Sequence, residues 1–287
     1  MYEQEITGRH KSAFVIAVDT SKSMCEPMTL RGGKTVVKAD AVARAVNTIL
    51  TELVDRANRE GEYRDYYDIA VLGYGSGGVR SLIGGWNSEF IPVAELARRR
   101  PEMRRSVADI EIDSGERIAY TTSSEEWIAP QAGGDTPMYE AFDCIRALLK
   151  KWCADPRNRE SFPPVVINIT DGEASDCDPA ELRDVAGKIK ELGTLDGNVL
   201  LFNIHIASDT AAKPVLLPSE SEIDRDNRYA SLLADCSSRI PEPFERMIMA
   251  ERGGNAAPPF VAMSYNASMV ELLSMLDIGS RSVTDIR

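Results

Sequence analysis

No stretch of this 287-residue chain approaches the run of roughly eighteen apolar residues that crosses a bilayer as a helix, so a membrane-spanning protein is not expected. Positive charge is also scarce: 33 Lys and Arg stand against 45 Asp and Glu, for a net charge of −12. A nucleic-acid surface needs clustered cations to neutralise phosphates, and that class of partner is excluded. The one basic cluster, Arg98, Arg99 and Arg100 with Arg104 and Arg105, is diluted by nearby acids and reads as a solvated helix end. Histidine occurs only as His10 and His205, and neither sits in a nucleophile motif. The five cysteines (Cys25, Cys144, Cys153, Cys177, Cys236) are odd in number and contain no C-x-x-C pair, which points to free thiols in a reducing compartment. The opening residues 1–11 are polar and mixed in charge, unlike a signal peptide. A cytoplasmic protein is the expectation.

What the chain does have is an alternation of buried strands and amphipathic helices. Residues 13–19, 67–74, 164–170 and 199–207 are apolar, β-branched runs of the kind that form parallel strands buried on both faces. Residues 36–59 place Val42, Val46, Ile49, Leu50, Leu53 and Ala57 at helical spacing, with a stop at Glu60-Gly61. After Thr136, Pro137 suits the first turn of another helix, whose stripe is Met138, Ala141, Phe142, Ile145, Leu148 and Leu149. A further helix is expected over 179–192. The segment G-Y-G-S-G-G at 73–78 leads into R-S-L-I-G-G rather than a helix, so it reads as a turn and not a dinucleotide loop. Across that turn Arg80–Ile83 is expected to return as an antiparallel edge strand. The pattern predicts an α/β fold: a doubly wound, mainly parallel central sheet with helices on both faces and one antiparallel edge strand. A single domain is expected over 1–278, with irregular insertions at about 86–130 and 208–257, and a frayed tail at 279–287. The first insertion should hold a short helix at 92–99 and a strand near 116–121. The second should hold helices near 227–236 and 241–251, followed by an edge strand at 259–263 and a last helix at 267–276.

The candidate chemistry collects at strand ends. The run F-V-I-A-V-D-T-S-K-S-M, residues 14–24, closes on Asp19, Ser21 and Ser23, three hard oxygen donors that suit Mg²⁺ or Mn²⁺ better than Zn²⁺. G-G-D-T-P-M, residues 133–138, sets Thr136 at a helix start, and V-V-I-N-I-T-D-G, residues 165–172, ends a strand at Asp171. Ligands of doubly wound sheets bind beyond the carboxyl ends of the strands, which is where Asp19 and Asp171 fall. Each residue also has a purely structural role open to it. Asp19 and its serines can form a turn, and Thr136 can cap its helix. Asp135 reads as a turn former, and Glu173, Asp176 and Asp178 as a solvated acidic loop. His205 reads as a packing residue, and Cys25 as a small, semi-buried filler close to the metal loop.

A D-x-S-x-S loop, then a Thr after a Gly pair, then a strand-terminal Asp-Gly resembles the metal-ion-dependent adhesion site of von Willebrand factor type A domains. The resemblance covers residues from about 13 to 207, and all five positions are filled, by Asp19, Ser21, Ser23, Thr136 and Asp171. It implies one Mg²⁺ or Mn²⁺, touched directly by the Ser21 and Ser23 hydroxyls. Thr136 would reach it directly or through water, and Asp19 and Asp171 often through water. It also implies an open coordination position for an Asp or Glu of a protein partner, and a binding function without catalysis. Asp135 departs from the small residue often found there. The chain is similar to stand-alone prokaryotic proteins of tellurite-resistance-associated systems, which implies a bacterial stress or defence setting beside a kinase, phosphatase or ATPase. The rival reading is a metal-dependent, phosphatase-like hydrolase using the same rim. Phosphatases of the haloacid-dehalogenase type carry a second Asp two positions after the first, and here Ser21 stands in that place. Neither the partner nor the oligomeric state can be read from the sequence.

Overall fold

The computed structural model of the chain describes residues 1–29, 35–84, 90–99, 101–111, 117–206, 214–252 and 257–267. The sheet strands are β1 (Ser12–Thr20), β2 (Tyr67–Gly75), β3 (Gly78–Ser81) and β4 (Ile91–Pro92). After the hairpin strands β5 (Glu102–Glu111) and β6 (Arg117–Glu126), they continue as β7 (Val165–Thr170), β8 (Leu200–Ile206), β9 (Val215–Leu216) and β10 (Met263–Ala267). The helices are α1 (Lys38–Ala57), α2 (Val93–Arg99), α3 (Met138–Ala154), α4 (Pro179–Lys190), α5 (Arg228–Cys236) and α6 (Glu242–Arg252).

One eight-stranded sheet runs in the order β9-β10-β8-β7-β1-β2-β3, with β4 also paired to β2. The pairs β1–β2, β1–β7, β7–β8 and β8–β10 are parallel, whereas β3 and β4 run antiparallel to β2 and β9 antiparallel to β10. The α/β class, the parallel centre and the antiparallel strand after the G-S-G-G turn are as the sequence pattern predicts. Successive residues of β1 face opposite sides. Phe14, Ile16 and Val18 pack with α1, α2 and α6, while Ala13, Val15 and Ala17 pack with α3, α4 and α5. Both faces of the sheet are therefore covered, and each large side chain so buried contributes roughly 1.5–3 kcal/mol.

Several boundaries and one whole element differ from expectation. The first helix ends at Ala57, because residues 58–59 pair with 62–63 around Gly61, whose φ of 89° suits glycine. The strand expected near 116–121 is present as β6, and the stretch otherwise expected to be irregular supplies its partner β5, making a ten-by-ten-residue antiparallel hairpin with Glu102 opposite Glu126 and Glu111 opposite Arg117. Its end is fastened to α1 by Asn47, which accepts the N–H groups of Trp127 and Ile128 and donates to the Ile128 carbonyl. The strand expected at 259–263 lies instead at 263–267, inside the sheet rather than at its edge, with β9 outside it. Phe260 and Val261 make only single bridges, to Ser219 and Arg239. From residue 268 onward, the expected last helix and the tail 279–287 fall outside the described residues. Helices α5 and α6 fall where the second insertion was expected to hold them.

Candidate metal centre at the strand ends

β1 and β7 are neighbours in the middle of the sheet, and from this pair the chain order departs toward opposite edges. Such a switch point opens a crevice at the carboxyl ends. Asp19 is the second-last residue of β1, and Asp171 directly follows β7. Asp19 is fully buried, as is the side chain of Asp171, although the Asp171 backbone is partly exposed.

The hydroxyls connect them. Asp19 Oδ1 accepts the Ser21 N–H at 2.8 Å, and the Ser21 and Ser23 Oγ atoms lie 3.0 Å apart. Ser23 donates to Asp171 Oδ1 at 2.7 Å. Having spent its only proton there, Ser23 must accept from Ser21. Thr170 Oγ1 lies 2.9 Å from Asp19 Oδ2, closing the line on its other side. Burial pushes the Asp19 carboxyl up from its ordinary range, and the nearby Asp171 charge adds to that, against the lowering effect of bonds from Ser21 and Thr170. The two carboxylates thus share a poorly solvated space in which a cation would be favoured.

Thr136 belongs to a loop held against this rim by its backbone. Gly133 donates to the Thr20 carbonyl, Lys22 to the Gly134 carbonyl, and Ser76 to the Gly133 carbonyl. Gly134 has a φ of 77°, and a Cβ there would lie 2.6 Å from the Ser76 backbone, so the close approach requires glycine at this position. Thr136 is buried; its N–H donates to Ser175 Oγ and its carbonyl accepts the Ser175 N–H, both at 3.0 Å. The helix-capping role that the sequence left open to Thr136 as an alternative is not taken up. Pro137 holds the N-cap position without a side-chain bond, and Asp176 reaches across to accept the Tyr139 and Glu140 N–H groups at 3.1 and 2.9 Å. Asp176 is therefore a cap, and Asp178 caps α4 through a capping box with Glu181, so these two are more than a solvated loop. Asp135 is exposed.

Sequence reasoning missed Lys38. It opens α1, is 1% exposed, and its ammonium lies 2.8 Å from Asp171 Oδ2 and 3.0 Å from Glu26 Oε2. The signal was a lysine at the head of a helix whose next turns point into the core. Also missed was a buried polar line beneath the rim. Tyr74 donates to Asn168 Oδ1 at 2.7 Å, Asn168 to Asn203 Oδ1 at 3.0 Å, and Asn203 to Ser237 Oγ at 3.0 Å.

His205, beside the rim on β8, stacks on Tyr265 at 4.4 Å and meets Tyr229 edge-on. Burial pushes its imidazole down to about 4, leaving it neutral at physiological pH. Its Nδ1 accepts the Asn266 N–H, which suits the packing role expected of it. The Tyr229 hydroxyl donates to the Gly172 carbonyl and pins the loop after Asp171. All five thiols are free, and Cys25 is exposed beside the first loop instead of filling a half-buried position as expected. A cleft of about 660 Å³ opens next to Thr20, lined also by Ser76, Arg80, Gln131 and Gly133.

The donor set fits a small hard cation: two carboxylates that lack full charge compensation and neutral hydroxyls between them. Ser21, Ser23 and Asp171 are brought into direct contact, Asp19 joins through the Ser21 N–H, and Thr136 stands on the adjoining loop. Among the described residues there is no cluster of three or more His, Cys, Asp or Glu that could hold a metal by those groups alone, so any site here depends on the hydroxyls.

No protein-family model matches the chain, and no curated protein matches it. Among solved structures, it is similar to a von Willebrand factor type A protein from Catenulispora acidiphila, at 14% identity and a TM-score of 0.39, over 70% of this chain and 34% of that one. It is also similar to the vWF domain of the type V pili tip protein Mfa5 from Porphyromonas gingivalis, at 13% identity and a TM-score of 0.35, over 62% of this chain and 49% of that one. The chain thus spans from about a third to a half of the length of these proteins.

Proposed function

We propose that this chain is a metal-dependent protein-interaction module of the von Willebrand factor type A kind. Ser21, Ser23 and Thr136, with Asp19 and Asp171, hold one Mg²⁺ or Mn²⁺, and the bound cation supplies a Lewis-acidic position for an Asp or Glu of a partner. The observation that carries this reading is the line Asp19–Ser21–Ser23–Asp171, joining two buried carboxylates through the Ser21 N–H and the two serine hydroxyls at the carboxyl ends of the two central strands. Neutral hydroxyls leave a divalent charge under-compensated, which favours an incoming carboxylate. Exposed Arg80 in the adjoining cleft favours the same class of partner. Binding rather than catalysis is the reading, since Ser21 stands where a phosphatase of the rival type carries its proton-transferring Asp. We extend it to a bacterial stress or defence system with a kinase, phosphatase or ATPase partner, which rests on the sequence resemblance alone, and to the cytoplasm, which rests on the unpatterned cysteines.

Calorimetric titration with Mn²⁺ tests the centre. The wild-type chain should bind at about one site, and a Ser21→Ala, Ser23→Ala double variant should bind roughly tenfold more weakly or worse. Undiminished affinity in that variant would remove the assignment.

A further inference from the structure

Lys38 stands out as a charged side chain enclosed by the fold, with its ammonium on the proposed centre. An ammonium is tolerated in such a place only when paired and hydrogen-bonded. Two of its carboxylate partners, Asp171 and Glu26, differ sharply. The Asp171 side chain is fully enclosed, and its other oxygen is engaged by Ser23, whereas the Glu26 side chain is 56% exposed. The head of α1 is also tied to Glu26 through the backbone, with the Lys38 N–H donating to the Glu26 carbonyl at 3.0 Å. The ammonium therefore sits between a buried seat on the rim and a solvated seat on the loop that carries Ser21 and Ser23.

We propose that Lys38 is the resident counter-ion of this centre, competing with a divalent cation for Asp171 and yielding to it by shifting onto Glu26. The inference rests on reading the rim as a cation site and adds to it a threshold built into the chain. Asp19, Asp171 and Glu26 against Lys38 give a formal charge of −2. A divalent cation brings it to zero, whereas without the lysine the loaded centre would keep a charge of −1. Like charges a few ångströms apart repel strongly where solvent is excluded, so the lysine weakens cation binding. It also leaves the loaded centre neutral instead of negative, so that a partner carboxylate can approach the cation without net repulsion. Cation and acidic partner are then coupled: each binds more tightly when the other is present.

The test compares wild type with Lys38→Gln, which removes the charge but keeps a polar group beside Asp171. Titrated with Mn²⁺ alone, the variant should bind roughly tenfold tighter than wild type. In the wild-type chain, Mg²⁺ titration followed through the ¹⁵N-labelled ammonium groups of lysine should shift one protected ammonium signal, absent from Lys38→Gln, in step with occupancy. Equal or weaker Mn²⁺ binding by a folded Lys38→Gln protein would overturn the competition while leaving the metal reading intact. If the variant does not fold, an ammonium signal that stays fixed as wild type fills with Mg²⁺ would overturn it equally. Binding in neither protein would overturn the metal reading and the competition together. A site found only in Lys38→Gln would support the competition in its strongest form.

Discussion

Two asparagines inside apolar strands show how single residues make this sheet specific. Asn168 on β7 and Asn203 on β8 are fully buried and lie opposite one another in register. Between Tyr74 and Ser237 they use donor and acceptor in sequence, so no polar atom of the line goes unserved. Tyr74→Phe should leave Asn168 Oδ1 without its buried donor and lower stability by about 1–3 kcal/mol in a urea titration. A loss within about 0.5 kcal/mol would mean that the hydroxyl is dispensable there. The placement of the five candidate residues at the strand ends and the adjoining loop was legible in the sequence because they form a spaced motif. The asparagines and Lys38 were not, because their meaning depends on register and on a contact between residues 133 positions apart. Sequence periodicity reports which face a residue takes, but not which polar group will meet it.

At the scale of elements, the loops that build the rim also cap the helices behind it. Asp176 holds the start of α3 while its neighbour Ser175 holds Thr136, so one short loop serves both helix and site. Asp176→Ala should cost about 0.5–2 kcal/mol, the usual effect of a lost cap, in thermal or chemical unfolding. A second clasp lies far from the rim. Arg252 near the end of α6 bonds both oxygens of Glu222 and also the Leu217 carbonyl, tying α6 to the segment before α5. The Arg252 guanidinium holds the Glu222 carboxyl down to about 2, from an ordinary 4.5. Since the folded value is the lower one, this contribution is complete above pH 4.5 and is lost as pH falls toward about 2. The difference in urea midpoint between wild type and Glu222→Gln should therefore narrow from about pH 6 to about pH 3. A difference that stays constant over that range would rule out the clasp as an acid-sensitive tie. Elements with strong periodicity were readable in advance, including α5 and α6 inside a segment expected to be mostly loop. Of the hairpin β5–β6 only the second strand was, expected near 116–121 and found over Arg117–Glu126. Its strands are charged at their outer ends, through Glu102, Arg104, Glu125 and Glu126, and its anchoring depends on Asn47 of a helix more than fifty residues earlier.

For the molecule as a whole, the division between core and rim decides what a cation can do for stability. The core is continuous on both faces of the sheet, from Phe14, Ile16 and Val18 against α1 to Val15 and Val166 against α3 and α4. None of these contacts uses the proposed metal residues. Lys38 already compensates Asp171, and Ser23 and Thr170 bond the two carboxylates. Removing a cation would thus restore a paired arrangement instead of exposing two bare charges. A metal that organises a small fold behaves differently, because its binding energy is the folding energy and chelation unfolds the chain. Here EDTA should leave the far-ultraviolet circular dichroism unchanged and shift the melting temperature only by what ligand mass action allows. That shift should grow with the logarithm of added Mn²⁺ above its dissociation constant. Loss of helical signal on chelation at room temperature would show that the cation is structural, and that the rim contributes to stability as well as to recognition.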